Sequence, residues 1–488
     1  MIKIESKKNK FTYNVYHVTK AFYPKEDIVQ TVDEKQEPLV KIHLPEGTCF
    51  SLAPEECVQT EDVQEEKRDV TKKVYQFLSK QTGQELAWGG MLTGVRPTKL
   101  VMQKIEQGMT KEEIFGFLKE QYCVGNKKAQ IAYEIACREK ALLDQLDCKN
   151  GYSLYAGIPF CPSICSYCSF SSSPITEWKD QVECYLDAMI KELKATAKLM
   201  QGKTLDTVYI GGGTPTTLEA DQLDRLLGTI RENFDLEHVL EFTVEAGRPD
   251  SITREKLEVI RKYPVTRISV NPQTMQQKTL DLVGRKHTVE DVEQIFHLAR
   301  ELGFDNINMD LIAGLPGEDA ADMQDTLEKI EKLHPDSLTV HALAIKRAAK
   351  FGQEGRTMDP GTEITQMVEA AAVSAERMGL VPYYLYRQKN IAGNFENVGY
   401  AEQDKAGGVY NILIMEEKQA ILACGAGAST KRVWNLPDGY HIERCENVKD
   451  IKQYIARIDE MIERKKHFLR RIENEKYLLK RAGTLFVH

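Results

Sequence analysis

Three cysteines, Cys161, Cys165 and Cys168, stand in the spacing C-x3-C-x2-C within Ala156-Gly-Ile-Pro-Phe-Cys-Pro-Ser-Ile-Cys-Ser-Tyr-Cys-Ser-Phe170. Thiolates this close in the chain meet on one small object only if the backbone curls around it. Such soft ligands select zinc or iron–sulfur. A structural zinc takes four ligands and an ordinary cubane four cysteines. The next candidate, Cys184, falls in a stretch that reads as a helix. The economical reading is a four-iron cluster, [4Fe-4S], with three irons capped and one left open to bind a substrate or cofactor. A lone zinc site and three unrelated thiols are the alternatives.

Further reactive positions cluster at the ends of apolar runs. Gly211-Gly-Gly-Thr-Pro-Thr216 follows Thr207-Val-Tyr-Ile210. Glycines let a backbone approach a ligand closely and offer it N–H groups. The stretch lacks the Gly-Lys-Ser/Thr ending of a phosphate loop, and a structural turn would look the same. Glu245 closes the run 240–244, Gln273 and Arg285 flank the loop after 267–270, and Asp310 lies in 307–312. Each alone is an ordinary surface residue. Together, each at or after the end of a strand-like run, they point to a shared pocket. Gly89 to Lys99 is glycine-rich and carries Arg96 and Lys99, which suit an anion; a turn before a helix starting at Pro97 explains it equally simply.

The scaffold for these positions is legible from residue 150 onward. Apolar runs at 154–158, 207–210, 240–244, 267–270, 307–312 and 337–341 alternate with helical segments at 177–200, 222–234, 253–261, 291–302 and 323–333. Such alternation implies a parallel sheet flanked by helices. Six units make a partial (β/α)6 barrel, with chemistry at the carboxyl ends of its strands. The expected organisation is α/β. A small β-rich region over 1–60 has strands at 3–5, 11–18 and 39–43. A charged linker over 54–69 leads into a helical extension over 61–149. The barrel spans 150–345. A smaller C-terminal α/β domain over 346–488 acts as a lid on the open side, with strands at 383–386, 408–415 and 419–423 and helices at 448–464 and 467–480.

Composition excludes some classes. The chain of 488 residues is 42% hydrophobic and 28% charged, with a net charge of −8. That balance argues against a nucleic-acid partner. No apolar run approaches the ~18–20 residues of a membrane span, and Met-Ile-Lys-Ile-Glu-Ser-Lys-Lys has no apolar signal core, so a cytoplasmic location is expected. Eight of the eleven cysteines are scattered, as free thiols in a reducing compartment. An exposed cluster tolerates oxygen poorly, which suggests an anaerobic setting.

The cysteine spacing after Ile158-Pro-Phe160 resembles the radical S-adenosylmethionine (SAM) superfamily. The wider set resembles the oxygen-independent coproporphyrinogen III oxidase (dehydrogenase) family, in its HemZ-type branch. The matching stretches are Leu154-Tyr-Ala-Gly-Ile-Pro-Phe-Cys161, the Gly-Gly-Gly-Thr-Pro-Thr loop, Thr243-Val-Glu245, Arg267-Ile-Ser-Val-Asn-Pro-Gln273, Leu282-Val-Gly-Arg285 and Asp310-Leu-Ile-Ala-Gly-Leu-Pro316. They fall within about residues 150–430. The resemblance implies that SAM on the open iron is cleaved to a 5′-deoxyadenosyl radical, using an electron from a donor such as a flavodoxin or ferredoxin. It implies contacts from Tyr155, Tyr167, Gly212 and Glu245 to that SAM. Gly213, Thr214, Gln273, Arg285 and Asp310 would contact a second one. The family reaction converts two propionates of coproporphyrinogen III to vinyl groups, giving protoporphyrinogen IX. A tetrapyrrole is a flat apolar disc rimmed by carboxylates, which need cationic partners when buried. Val381-Pro-Tyr-Tyr-Leu-Tyr-Arg-Gln-Lys389 offers Tyr386 and Arg387 for this, although an edge strand has the same composition.

One departure stands out. The founding oxidases carry a further cysteine two residues after the third ligand, where this chain has Phe170. That resembles the heme-chaperone relatives, whose His-Asn-x-x-Tyr-Trp motif is here Glu396-Asn-Val-Gly-Tyr-Ala401. A third branch methylates and opens heme.

Overall fold

The computed structural model describes residues 1–23, 25–86, 91–92, 96–343, 349–354, 362–387, 396–403, 405, 407–436 and 439–470. Parts of three sequence expectations fall outside these residues: the Gly89 segment, residues 388–389, and the helix expected over 467–480.

The first 82 residues form their own core. Strands β1 (Ile2–Ser6), β2 (Ile28–Val32), β3 (Val40–His43) and β4 (Cys49–Leu52) lie in the order β2-β1-β3-β4. Helices α1 (Asn9–Phe22) and α2 (Val63–Thr82) pack on each other beside the sheet. The stretch 11–18, expected as a strand, is therefore helix. Its buried residues Phe11, Val15, Val18, Thr19 and Phe22 recur at helical spacing, and that burial outweighs the β-branched and aromatic composition. The expected linker over 54–69 already contains the start of α2, capped by Asp62, whose side chain accepts from Gln64 N–H at 2.8 Å. Helices α3 (Pro97–Glu106), α4 (Lys111–Tyr122) and α5 (Asn126–Leu143) follow.

The barrel begins with β5 (Gly151–Ile158). A loop bearing the cysteines closes on itself through β6 (Phe160–Cys161) and β7 (Ser173–Pro174). Then come α6 (Val182–Leu199), β8 (Thr204–Gly212), α7 (Ala220–Asn233), β9 (Glu241–Gly247), α8 (Arg254–Arg261), β10 (Arg267–Val270), α9 (Gln277–Leu282), α10 (Val289–Glu301), β11 (Ile307–Ala313), α11 (Ala320–Leu333) and β12 (Ser337–Ala342). Strands β5, β8, β9, β10, β11 and β12 are parallel neighbours in that order. The six-stranded parallel expectation holds. The strands alternate sharply. Leu154, Ala156, Val208, Ile210, Phe242, Val244, Met309 and Leu311 belong to the core shared with the helices. The intervening positions carry Tyr155, Tyr209, Glu245, Ser269, Asp310 and His341, so the inner face is polar.

The C-terminal third continues with α12 (Lys350–Gln353), α13 (Thr362–Arg377), β13 (Leu380–Arg387), β14 (Glu396–Glu402), α14 (Val409–Glu416), β15 (Ala420–Cys424), β16 (Ser429–Leu436), β17 (Gly439–Glu446), α15 (Ile451–Ala456) and α16 (Ile458–Arg470). Its strands do not form a separate layer. β14 adds antiparallel to β12, and β13 pairs with β14. At the other edge β15 adds parallel to β5, followed by the β16–β17 hairpin. The result is one eleven-stranded sheet.

The stretch 408–415, expected as a strand, is α14. Tyr410 stacks on Tyr209 with ring centroids 4.4 Å apart, and on Tyr155 at 6.3 Å. The helix thus lies against the polar inner face. Its first N–H groups, from Val409 and Tyr410, donate to the Glu241 carboxylate at 2.8 and 3.2 Å.

Candidate functional site

The cysteine loop is pinned to the ends of the strands by backbone hydrogen bonds. Gly213 N–H donates to the Ile158 carbonyl and Thr214 N–H to that of Phe160, both at 2.7 Å. Ser166 N–H donates to Val283 C=O at 3.1 Å. The glycine run is sterically required. Gly212 has φ +108, in the left-handed region, and a Cβ on Gly213 would overlap Phe160 O and sit 3.0 Å from Cys161 Sγ. Thr214 Oγ1 donates towards Cys161 Sγ at 3.5 Å.

Two buried guanidinium groups face Cys165. Arg248 Nη1 lies 3.8 Å and Arg285 Nη1 4.0 Å from its Sγ. Arg248 also donates to the Ser163 carbonyl at 2.9 Å and hydroxyl at 2.8 Å, and forks onto Asp250 at 3.0 and 2.6 Å. His287 and Arg248 hold the Asp250 carboxyl well below the usual range despite its burial. Arg285 donates to Tyr167 Oη at 3.2 Å and to the Asn271 carbonyl at 2.5 Å. Burial pushes the Cys161 and Cys168 thiols and the Tyr167 phenol up.

Beside the glycine run lies a carboxylate, with Glu245 Oε2 2.6 Å from where a Cβ on Gly211 would sit. Tyr209 Oη donates to Glu245, whose pKa is raised to about 7 by burial, with Tyr209 opposing that rise. Farther round, Gln273 sits at φ +70, a conformation unfavourable for a residue with a Cβ. It is held there because its N–H donates to Asp310 C=O and its carbonyl accepts from Ile312 N–H, both at 2.9 Å. The Asp310 side chain accepts from Asn308 Nδ2 at 2.7 Å.

The structure therefore brings Tyr155, Tyr167, Gly212, Gly213, Thr214, Glu245, Arg285 and the cysteine loop to the carboxyl end of the sheet, with Gln273 in the loop after β10 and Asp310 on β11. Tyr386 and Arg387 are placed differently. Arg387, 3% exposed, donates to the carbonyl of Leu92 in the helical extension. Tyr386 is half-buried against the cluster of Tyr383, Tyr384 and Ile412. Sequence reasoning missed Tyr209, Arg248 and Tyr410. Tyr209 was readable from the polar alternation of its strand. Arg248 and Tyr410 gain their roles only through the tertiary fold.

The residues present fit an iron–sulfur cluster. Three soft donors lie on one self-closed loop, faced by cations and by a glycine floor that a side chain would fill. Among the described residues no group of three or more His, Cys, Asp or Glu side chains is placed to hold a single metal ion.

Comparison with known proteins agrees with this class. The radical SAM superfamily model matches residues 155–330. The chain is 41% identical over 417 residues to the oxygen-independent coproporphyrinogen-III oxidase-like protein HemZ of Bacillus subtilis strain 168, covering 83% of this chain and 81% of the relative. It is 32% identical over 317 residues to the heme chaperone HemW of the same organism, 63% of this chain and 76% of that one. It is 34% identical over 316 residues to the oxygen-independent coproporphyrinogen III oxidase of Escherichia coli K12, 63% and 65%. The solved structure of coproporphyrinogen III oxidase (HemN) from Escherichia coli superposes with a TM-score of 0.52 at 24% identity, covering 66% and 73%, which shows the shared fold. The chain belongs to the oxygen-independent coproporphyrinogen III oxidase-like family of radical SAM proteins. Membership implies a [4Fe-4S] cluster and SAM. No helix among the described residues is long and apolar enough to cross a membrane.

Proposed function

We propose that the chain is a radical SAM enzyme of tetrapyrrole metabolism that decarboxylates propionate side chains of coproporphyrinogen III to vinyl groups. The observation that carries this reading is the 41% identity to HemZ across 83% of the chain. In this reading Cys161, Cys165 and Cys168 would hold three irons of a [4Fe-4S] cluster, leaving the fourth open to SAM. Together these groups supply one-electron, hydrogen-abstracting chemistry. Glu245 would hold the SAM ribose through its hydroxyls, and the glycine run at Gly212 would hold its amino-acid end. Tyr155 and Tyr167 wall the same site. Gly213, Thr214, Gln273, Arg285 and Asp310 hold a second SAM. The cysteine loop and α14 exclude water, which keeps the reaction from side paths. A flavodoxin or ferredoxin supplies the electron.

A heme-delivery role is the second reading. It is favoured by Phe170 at the position of the founding oxidases' extra cysteine and by the 32% identity to HemW. One assay separates them. Anaerobically reconstituted protein, given SAM, a one-electron donor and coproporphyrinogen III, should yield a mass loss of one formic acid equivalent per propionate. Absence of that loss together with a tight Soret band on adding heme sinks the enzymatic reading. Asp310→Ala should spare basal SAM cleavage yet lower product about tenfold or more, the worth of a hydrogen bond to a charged group. Equal loss of both activities would remove the second SAM. Replacing any of Cys161, Cys165 or Cys168 by Ala should abolish bound iron, and Cys184→Ala should not.

A further inference from the structure

A cavity of about 610 Å³ opens beside the carboxyl end of β5, between α14 and the added strands β15–β17. Its volume lies within the range of small-molecule sites. Tyr155 and Gly212 line it, so an occupant would lie directly beside the SAM site. Most of its wall is apolar: Ile158, Pro159, Ile414, Ile421 and Ala426 among others. Phe170, 73% exposed, stands at it; so large an exposed ring on the cysteine loop offers a stacking surface for a flat macrocycle. The strands β16 and β17 and the residues beside them add three cations, Lys431, Arg444 and Lys449, and two carboxylates, Glu417 and Glu446.

Lys431 is 5% exposed. Its ammonium has three N–H donors, and one is spent on the Ile414 carbonyl at 3.1 Å. Arg444 leans on Glu417 at 3.3 Å. A buried ammonium in an apolar cavity is costly unless an anion or acceptors complete its shell. The helix-end carbonyl and the Glu417 carboxylate, whose charge favours the ammonium but which Arg444 and Arg96 already share, complete only part of it.

We propose that this cavity seats the macrocycle of a carboxylate-rimmed tetrapyrrole, with Lys431 pairing one carboxylate. The proposal rests on the tetrapyrrole reading above and places its substrate. It moves the substrate contacts away from Tyr386 and Arg387, neither of which lines the cavity.

The test uses the full reconstituted chain and two porphyrin probes, coproporphyrin III and its tetramethyl ester, followed by porphyrin fluorescence. Lys431→Met should weaken coproporphyrin III binding about ten- to a hundredfold and leave the uncharged ester unchanged, while Lys431→Arg restores binding. Ala426→Phe, which fills the cavity from a half-exposed position, should weaken both probes. Unchanged coproporphyrin III binding in Lys431→Met overturns the proposal. So does equal weakening of acid and ester, which would make Lys431 only the cap of α14, and so does unchanged binding in Ala426→Phe. If the parent chain binds coproporphyrin III through Lys431 but never decarboxylates the porphyrinogen, the reaction falls and the cavity stands. If it turns the substrate over and the variants bind as the parent does, the cavity falls and the reaction stands.

Discussion

Glu245 keeps its proton to about pH 7 because the fold buries it, while the Tyr209 hydroxyl pulls the other way. The ionised carboxylate is the better acceptor for ribose hydroxyls. SAM affinity of the reconstituted protein should therefore rise between pH 6 and 8, and Glu245→Gln should flatten the profile. Tyr209→Phe removes the bond that lowers this pKa, so the midpoint should move above 7. Equilibrium dialysis under anaerobic conditions reads both, and a flat profile in the parent chain would rule the role out. The same shift affects stability with a definite sign. A carboxyl whose folded pKa exceeds its unfolded value binds more protons when folded. Its contribution therefore falls as pH rises from about 4.5 to 7, and in the cluster-free chain Glu245→Gln should remove that slope. The cysteines were legible because three soft ligands at fixed spacing admit few explanations. Tyr209 was legible only as a member of an alternating strand, and Tyr410 not at all, since its place depends on where α14 lands.

At the scale of elements, the cysteine loop is held by Arg248, a residue of the turn after β9. Arg248→Ala leaves the partly covered Asp250 carboxylate without its fork and frees Ser163, a loss of about 1.5–3 kcal/mol for hydrogen bonds to a charged group. We expect a lower denaturant midpoint in the cluster-free chain and less iron retained against a chelator. Arg248→Lys should recover only part of either, because an ammonium cannot fork. Iron retention equal to the parent would show that the loop is held by its backbone bonds alone. Element types were read correctly where the sequence alternates and is bounded by glycine or proline, as along the six parallel strands. They were misread at 11–18 and 408–415. Both are short, rich in β-branched or aromatic residues, and ambiguous by periodicity. What decided 408–415 was the barrel interior, where Glu241 receives its first N–H groups.

Across the whole molecule, the C-terminal helices are locked to the barrel by one buried charge centre. Lys465 donates to Glu192 at 2.7 Å, and the same carboxylate accepts from Tyr454 at 2.6 Å, Asn447 at 2.8 Å and Gly425 N–H at 3.0 Å. Lys465→Met should cost about 3–5 kcal/mol by stranding Glu192. The double variant with Glu192→Gln should be less destabilised than the single. Urea midpoints measure this, and a double variant at or beyond the sum of its parts would show no coupling. The separate lid expected over 346–488 was a reasonable reading of a composition change. The sequence contains no sign that its strands join both edges of an existing sheet, because edge pairing is settled by partners far away in the chain.

That edge pairing bears on how the protein is made. Strand β5, which leads into the cysteine loop, is bonded on one side to β8 and on the other to β15, where Ala156 faces Cys424. During synthesis the near partner, β8, emerges soon, and the far one, β15 from Ala420, only long after β5 ends at Ile158. Until then β5 is an open edge with unpaired N–H and C=O groups, the template on which chains aggregate. Closing so distant a contact is slow. The nascent chain therefore presents its three thiols beside an unfinished sheet until β15 emerges and docks. Iron delivered before β15 docks would meet a loop with one of its walls still missing.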